Sequence, residues 1–419
     1  MSDRVDENGQ TARASFGRSL LRLVTTGNSF VITVLAFVSA LIIGGIIIVL
    51  ATPQAMSAWG SFFAGPIVAL GRSWHAIASA YGALFTGSIG NFSDIARAIG
   101  SGNHAELVRA FSPISETLVN TTPLIMAGLG IALAFRAGLF DIGGQGQFIL
   151  GAAGATLAGF SFAGLPPIIH VPLSIIFGAA FGAAWGFVPG YLKARTGAHE
   201  VITSMMLNYV GLDFLAYILK NEPFQAPPRN QAISKYIVDS AKLPHIFGPE
   251  LRVNLGIILA ILFAIGAAWL VSRSTMGFRF RMIGANRTAA RVAGVNIEAH
   301  YVLSMTLAGM LVGLAGTFTV LGVDYRIAPN YGGSTGFDAI TVAILGRGTP
   351  LGVALSALLF GAFGAGGRSM QLAANIPVQL VEVIQAVLVL FVAAPGIIRT
   401  IYRIRLVRSA ERIFGGWGG

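Results

Sequence analysis

Residues 273–298 read RSTMGFRFRMIGANRTAARVAGVNIE, and the rest of the chain is interpreted from this stretch. It carries five arginines, at 273, 279, 281, 287 and 291, and lies between two long apolar runs, 253–271 and 301–323. Translocated membrane loops avoid Lys and Arg, so a segment this basic between apolar runs is expected on the cytoplasmic side. Inside it, T-A-A-R-V-A-G (Thr288 to Gly294) groups small residues as a short helix would if it sat closely in a groove of a partner protein. An ordinary basic loop that only fixes topology accounts for the charge equally well.

The composition agrees with a membrane setting. Of 419 residues, 54% are hydrophobic and 11% charged, against about 25% charged in soluble domains. Glycine, at 54 residues, is abundant in the way that closely packed membrane helices require. The absence of cysteine excludes disulfides and thiolate metal sites. A net charge of +11 could suit nucleic acid, but the arginines cluster at the ends of apolar runs, so lipid is the expected partner and nucleic acid is not. His75 and His104 have no second ligand at i+4 and are not expected to hold a metal.

Counting apolar runs outward from the basic loop predicts an all-α, polytopic membrane bundle of about ten crossings with both ends cytoplasmic. Residues 30–50 are 21 uncharged residues, long enough at 1.5 Å per residue for a hydrocarbon core of ~30 Å. The other expected crossings are 113–135, 148–165, 168–192, 199–219, 253–271, 301–323, a half-length 336–346, 349–367 and 376–394. The expected organisation is a cytoplasmic tail (1–27, with Arg13, Arg18 and Arg22), a transmembrane domain (28–398) and a basic cytoplasmic tail (399–419). Within the domain, 52–112 is read as an outer-face insertion and 272–299 as a cytoplasmic loop. Gly178, Gly182 and Gly186 form a stripe at i, i+4, i+8, a close helix-packing face.

Two places break the apolar pattern. Helical hydrophobicity fails at Asp141, Gly143, Gly144 and Gly146, then resumes. Irregular backbone at membrane depth is tolerated only inside protein or beside a water-filled cavity, and such breaks mark transport paths. A plain turn between helices is the other reading. Asp141 and Gln145 stand at i, i+4, a spacing that lets them interact on one helix face. The run 199–219 contains Glu200, Asn208 and Asp213. Intramembrane carboxylates are functional candidates, although Glu200 is near enough the edge to be a solvated end-cap, and Asn208 at mid-span suits a bond to another helix. Phe140 and Asp141 recur as Phe337 and Asp338 in a faint echo (FDIGGQGQFILG, FDAITVAILG) that would fit an inverted repeat.

These residues carry a family resemblance. Residues 284–294 fit G-x-N-x-x-A-A-x-x-x-G, and the segment resembles the EAA-x-x-x-G coupling loop of ATP-binding-cassette (ABC) importer permeases, with Thr288 at the usual glutamate. Residues 123–147 resemble P-L-I-x-x-G-L-x-x-x-x-A-F-R-x-G-L-F-N-I-G-x-E-G-Q, a signature of nucleoside and simple-sugar permeases, with Asp141 for Asn and Gln145 for Glu. Residues 199–209 resemble N-E-V-I-x-x-x-M-L-N-Y, with His199 for Asn. The likeness covers about three quarters of the chain, from residue 113 to the tail.

The resemblance implies a permease subunit in the cytoplasmic membrane of a bacterium, taking up nucleosides or related simple sugars. It implies an ABC ATPase subunit, a second and non-identical permease subunit, and an extracytoplasmic solute-binding protein as partners. Arg281, Gly284, Asn286, Thr288, Ala289, Ala290 and Gly294 would couple to the ATPase. Phe140, Asp141, Gln145, Gln147, Glu200, Asn208, Phe337 and Asp338 would line or support the substrate path. None of the four lysines follows a glycine or precedes Ser or Thr, so no P-loop is present. The chain is expected to bind no cofactor, with ATP used by the partner, and to act as a transport subunit instead of an enzyme. An ion-coupled secondary transporter, with Asp141, Glu200, Asp213 and Glu382 as ion sites, is the alternative.

Overall fold

The computed structural model describes residues 29–402 apart from residues 64 and 375. The tail expected at 1–27, and residues 403–419 of the tail expected at 399–419, lie outside the described residues. Helices run in the order α1 (Ser29–Ala51), α2 (Pro53–Gly60), α3 (Pro66–Ile89), α4 (Phe92–Ser101), α5 (His104–Arg136), α6 (Gly144–Ser161), α7 (Pro167–Thr196) and α8 (Glu200–Ile218). They continue as α9 (Gly256–Arg273), α10 (Thr275–Ala285), α11 (Arg287–Val292), α12 (Ile297–Thr319), α13 (Thr335–Leu345), α14 (Pro350–Ala374), α15 (Gln379–Ala393) and α16 (Pro395–Ile401). Among the described residues, strand-type bridges are limited to isolated ones at Gln225–Ser234 and His245–Asn254.

Seven of these helices are long and apolar enough to cross a membrane: α1, α5, α7, α8, α9, α12 with the π turn that extends it to Asp324, and α14. An eighth crossing is available if α15 and α16, bent by 89° at Ala394, are one span. The two remaining expected crossings are α6, whose 18 residues are rich in glycine and alanine, and α13, with 11 residues. Thus the fold is a polytopic helical membrane bundle.

The described residues fall into two compact units, one within residues 81–373 and one within residues 29–80 and 374–402. In the smaller, α1 packs on α15 and α16, and Ser39 Oγ lies 2.9 Å from Tyr402 Oη. Ile32, Ala36, Ala40 and Ile48 of α1 are buried, whereas Val34, Val38, Ile42, Ile46 and Leu50 form an exposed stripe at every fourth residue. Such a stripe suits hydrocarbon.

The larger unit is built around α12, which packs on α5, α6 and α7. The glycine stripe of α7 does what its spacing implies. A Cβ on Gly182 would fall 2.6 Å from Gly313 Cα, and one on Gly186 would fall 2.9 Å from Gly309 Cα. Backbone meets backbone there, so dispersion contacts between main chains hold the helix pair, a packing lipid cannot replace.

One helix start differs from expectation. The crossing expected from residue 113 begins at His104 and runs 33 residues, with Pro113 and Pro123 inside it. Asn103 Oδ1 accepts from Ala105 N at 3.0 Å and Glu106 lies in the first turn, a start signal stronger than the proline that follows. The prolines are tolerated because neighbouring helices surround this segment. The polar loop after α8 is also more ordered than a plain connection. Ser234 N donates to Ile327 O, Ile237 N to Tyr325 O, and Leu243 N to Leu321 O, at 2.8–2.9 Å. Ile237, Leu243 and Val253 are buried beneath it.

Candidate functional site

The arginine-rich stretch folds as a chain of capped turns. Ser274 Oγ caps α10 through Gly277 N (2.9 Å), Asn286 Oδ1 caps α11 through Ala289 N (3.0 Å), and Asn296 Oδ1 caps α12 through Ala299 N (3.0 Å). Gly294 ends the α11 turn at φ 77°, where a β-carbon would be strained. Gly284 serves differently: a Cβ there would press on the Arg136 carbonyl and fall 3.1 Å from Gly138 N.

The two alanines of the motif part company. Ala290 is fully buried with Leu139, Ile283, Tyr301, Met305 and Ala308, which anchors α11 to its own bundle. Ala289, Thr288, Asn286, Arg287 and Arg291 are exposed, and Arg281 is half-buried. Val292 is 85% exposed, a large apolar side chain held out from a short helix. The pattern of small residues did not single it out. Tyr301 underlies the helix, with the Arg287 guanidinium 5.6 Å from its ring centre.

The break between α5 and α6 is a second cluster, and it corrects one expectation. Asp141 does not pair with Gln145, because residues 139–143 precede α6 and helical spacing does not apply to them. Asp141 instead accepts from Gly143 N (2.8 Å) and from Gln147 Nε2 (2.8 Å). Gln145 reaches across the bundle: Gly336 N donates to its Oε1 at 3.0 Å, and its Nε2 donates to the Tyr331 carbonyl at 3.3 Å. It therefore ties α6 to the start of the half-length helix α13. Asn208 of α8 closes the other side, accepting from Gly146 N and donating to Ile142 O, both at 2.8 Å. Ser204 Oγ accepts from Ile142 N at 3.2 Å.

Four of the expected path residues, Asp141, Gln145, Gln147 and Asn208, are thus brought together and buried. Their hydrogen bonds are made within the break and to the start of α13. Two atoms in this region have no partner among the described residues, Gln147 Oε1 and Trp185 Nε1. Trp185 was not among the sequence candidates. No spacing in the sequence marks it; in the fold Gly146 lets the indole approach, since a Cβ there would fall 2.6 Å from Trp185 Nε1.

The other candidates sit apart. Phe140 stacks on Phe135 (centroids 5.0 Å apart). Phe337 is exposed, and Asp338 accepts from Ser334 Oγ (2.9 Å) in the first turn of α13. Asp141 precedes its helix and Asp338 lies inside one, so the two F-D pairs are not locally equivalent. Glu200 is not a solvated end-cap. Its carboxylate is 9% exposed and 2.8 Å from Lys193 Nζ, joining the first turn of α8 to the last turn of α7. Asp213 is exposed on α8 among Tyr209, Val210, Phe214 and Tyr217.

Beyond the break, Phe148 stacks on Tyr331 (5.9 Å), and Gly332 at φ 82° brings its backbone against the Phe148 ring. Burial pushes the Tyr331 phenol well above its ordinary range, and the Asp324 carboxylate beside it adds to this, so the hydroxyl stays protonated.

With this geometry, comparison with known proteins is direct. The family described as branched-chain amino acid transport system, permease component, matches residues 114–393. The guanosine ABC transporter permease protein of Bacillus subtilis is 36% identical over 341 residues, 80% of this chain and 91% of that one. The glucose ABC transporter permease protein of Haloferax volcanii is 33% identical over 66% of this chain and 75% of its own. The nucleoside ABC transporter permease protein NupB of Lactococcus lactis is 32% identical over 71% and 84%. No solved structure gives a significant match. The chain belongs to the branched-chain amino acid transport system permease family.

Proposed function

We propose that the chain is a permease subunit of an ABC importer for nucleosides or related simple sugars, driven by a separate ATPase subunit. The observation that carries this is α11, a six-residue helix capped at Asn286, anchored by Ala290 and presenting Val292 and the arginines outward. A helix fixed on its inner side and apolar at its outer tip is suited to a partner's groove. Motion imposed there reaches the bundle through Tyr301 and Gly284. In this reading the arginine-rich end is cytoplasmic in a bacterial plasma membrane, with both termini on that side. The chain binds no cofactor, and ATP is hydrolysed by the partner. Nucleosides are favoured over other solutes by the likeness to the guanosine and nucleoside permeases.

In this reading a second, non-identical permease subunit would pack against α8. Asp213 and the apolar side chains Met206, Tyr209, Phe214 and Tyr217 are all exposed there. A mid-span carboxylate faces a protein partner or water in preference to lipid. An extracytoplasmic solute-binding protein would dock on the ordered loop of residues 219–255. Arg281, Gly284, Asn286, Thr288, Ala289 and Gly294 support or border the coupling helix. Asp141, Gln145, Gln147 and Asn208 hold the broken helix beside the path. Asp141 and Glu200 are each engaged by partners of the chain itself, which weighs against their use as ion sites.

The test is co-purification and uptake. Ala289→Arg and Val292→Asp alter only exposed positions, so the expected result is loss of the co-purifying ATPase with unchanged thermal melting. Retention of the ATPase by both variants removes the coupling assignment. In proteoliposomes holding the assembled importer, uptake of labelled nucleoside should require ATP. Uptake driven by an ion gradient without ATP would overturn the reading.

A further inference from the structure

A cavity of about 460 Å³ opens between α5, α9 and α12, away from the polar cluster at the helix break. All fifteen residues around it are leucine, alanine, glycine, valine, phenylalanine, methionine or proline. A pocket for a polar solute carries a few placed polar side chains to orient it; this one has none, so a nucleoside or sugar is a poor occupant. Along α9 the wall runs from Leu259 to Val271, about 18 Å at 1.5 Å per residue. That is close to one leaflet of a hydrocarbon core of ~30 Å. The outer side of α9 exposes Ile258, Ile261, Ile265 and Trp269, so the helix is a thin apolar partition between cavity and surroundings.

The end of the cavity nearest the arginine-rich stretch is charged. Gly348 forms part of the wall, and Arg136 Nε donates to its carbonyl at 3.1 Å. Arg281 stands on α10 between Gly277, which abuts Leu270 and Val271 of the cavity wall, and Gly284, which abuts the Arg136 carbonyl. Neither arginine has an ion-pair partner among the described residues. Two like charges at the mouth of an apolar slot one leaflet deep are complementary to an amphiphile with an anionic head. From this geometry we propose that the cavity binds one acyl chain of an anionic phospholipid, whose phosphate bridges Arg136 and Arg281. The lipid would wedge α9 and tie the coupling stretch to the leaflet beside it.

Native mass spectrometry of the full chain with its partner subunits, in equimolar phosphatidylglycerol and phosphatidylcholine, tests this. The wild type should retain one phosphatidylglycerol with a preference of about tenfold or more, the value expected from two arginines near the head. A Cβ built on Gly266 meets nothing within 4 Å outside its own helix, and Gly266 lines the cavity, so Gly266→Leu adds bulk at the wall and should abolish retention of both lipids. Ala267→Leu is an independent filling variant. Arg281→Gln should keep a bound lipid while the preference falls towards parity. Thermal melting checks that each variant is folded. Equal retention of the two lipids by the wild type, or undiminished retention in the folded filling variants, overturns the proposal.

Discussion

Replacing Gln145 by leucine keeps its approximate volume and removes both of its hydrogen bonds, to Gly336 N and to Tyr331 O. The groups left behind are buried, since Gly336 and Tyr331 are both in the interior. A buried donor or acceptor stripped of its partner costs about 1–3 kcal/mol, so the pair costs about 2–6 kcal/mol. Little relaxation is available, because a Cβ on Gly336 would collide with the Gln145 backbone and the two chains are in main-chain contact. The loss should therefore be felt where α13 begins. Apparent melting in detergent should fall by several degrees, on the order of 2–4 °C per kcal/mol. Amide exchange across Thr335–Leu345 should rise. Asn208→Leu also removes two bonds, but to Gly146 N and Ile142 O, so it should raise exchange at 142–147 and leave α13 protected. Wild-type melting and exchange in Gln145→Leu would show that this side chain does not hold α13. Identical exchange maps for the two variants would show that the break is one unit, not two clamped sides.

Three further outcomes follow from the same geometry. Asp141→Asn should cost about 1 kcal/mol or less by melting, because its amide can still accept from Gly143 N and can donate to the unpartnered Gln147 Oε1 once that amide turns over; Asp141→Ala, which strands both neighbours, should cost several times more. Lys193→Met leaves the Glu200 carboxylate buried without its cation, which should cost about 3 kcal/mol, and Lys193→Met with Glu200→Met should recover most of it. Gly294→Ala meets open space at φ 77°, so it should cost about 1 kcal/mol of backbone strain and leave ATPase co-purification intact, separating the turn from the docking surface.

Patterns that depend on neighbours along the chain were legible in the sequence. The apolar runs located the long helices, the Gly178–Gly182–Gly186 stripe located the close contact of α7 with α12, and the break at residues 141–146 was visible as a loss of helical hydrophobicity. The start of α5 lies before residue 113 because Asn103 caps the helix there and the surrounding bundle accommodates Pro113, and neither effect shows in an apolar run. The i, i+4 pairing of Asp141 with Gln145 failed for a related reason. That rule presumes a helix, and the helix begins only after Asp141.

What the sequence could not carry is direction. T-A-A-R-V-A-G states that two alanines are adjacent; it does not state that Ala290 turns into the bundle while Ala289 turns out, and only that division separates anchoring from docking. The same holds for the polar cluster. Gln145, Gln147 and Asn208 are the residue types a solute site would use, yet each is engaged by backbone or by a neighbouring side chain. A buried amide has few partners to give, and one committed to the backbone cannot also bind a solute without leaving that backbone unpaired. Of the polar side-chain atoms at the break, Gln147 Oε1 and Trp185 Nε1 are not committed in this way: both are buried and have no partner among the described residues.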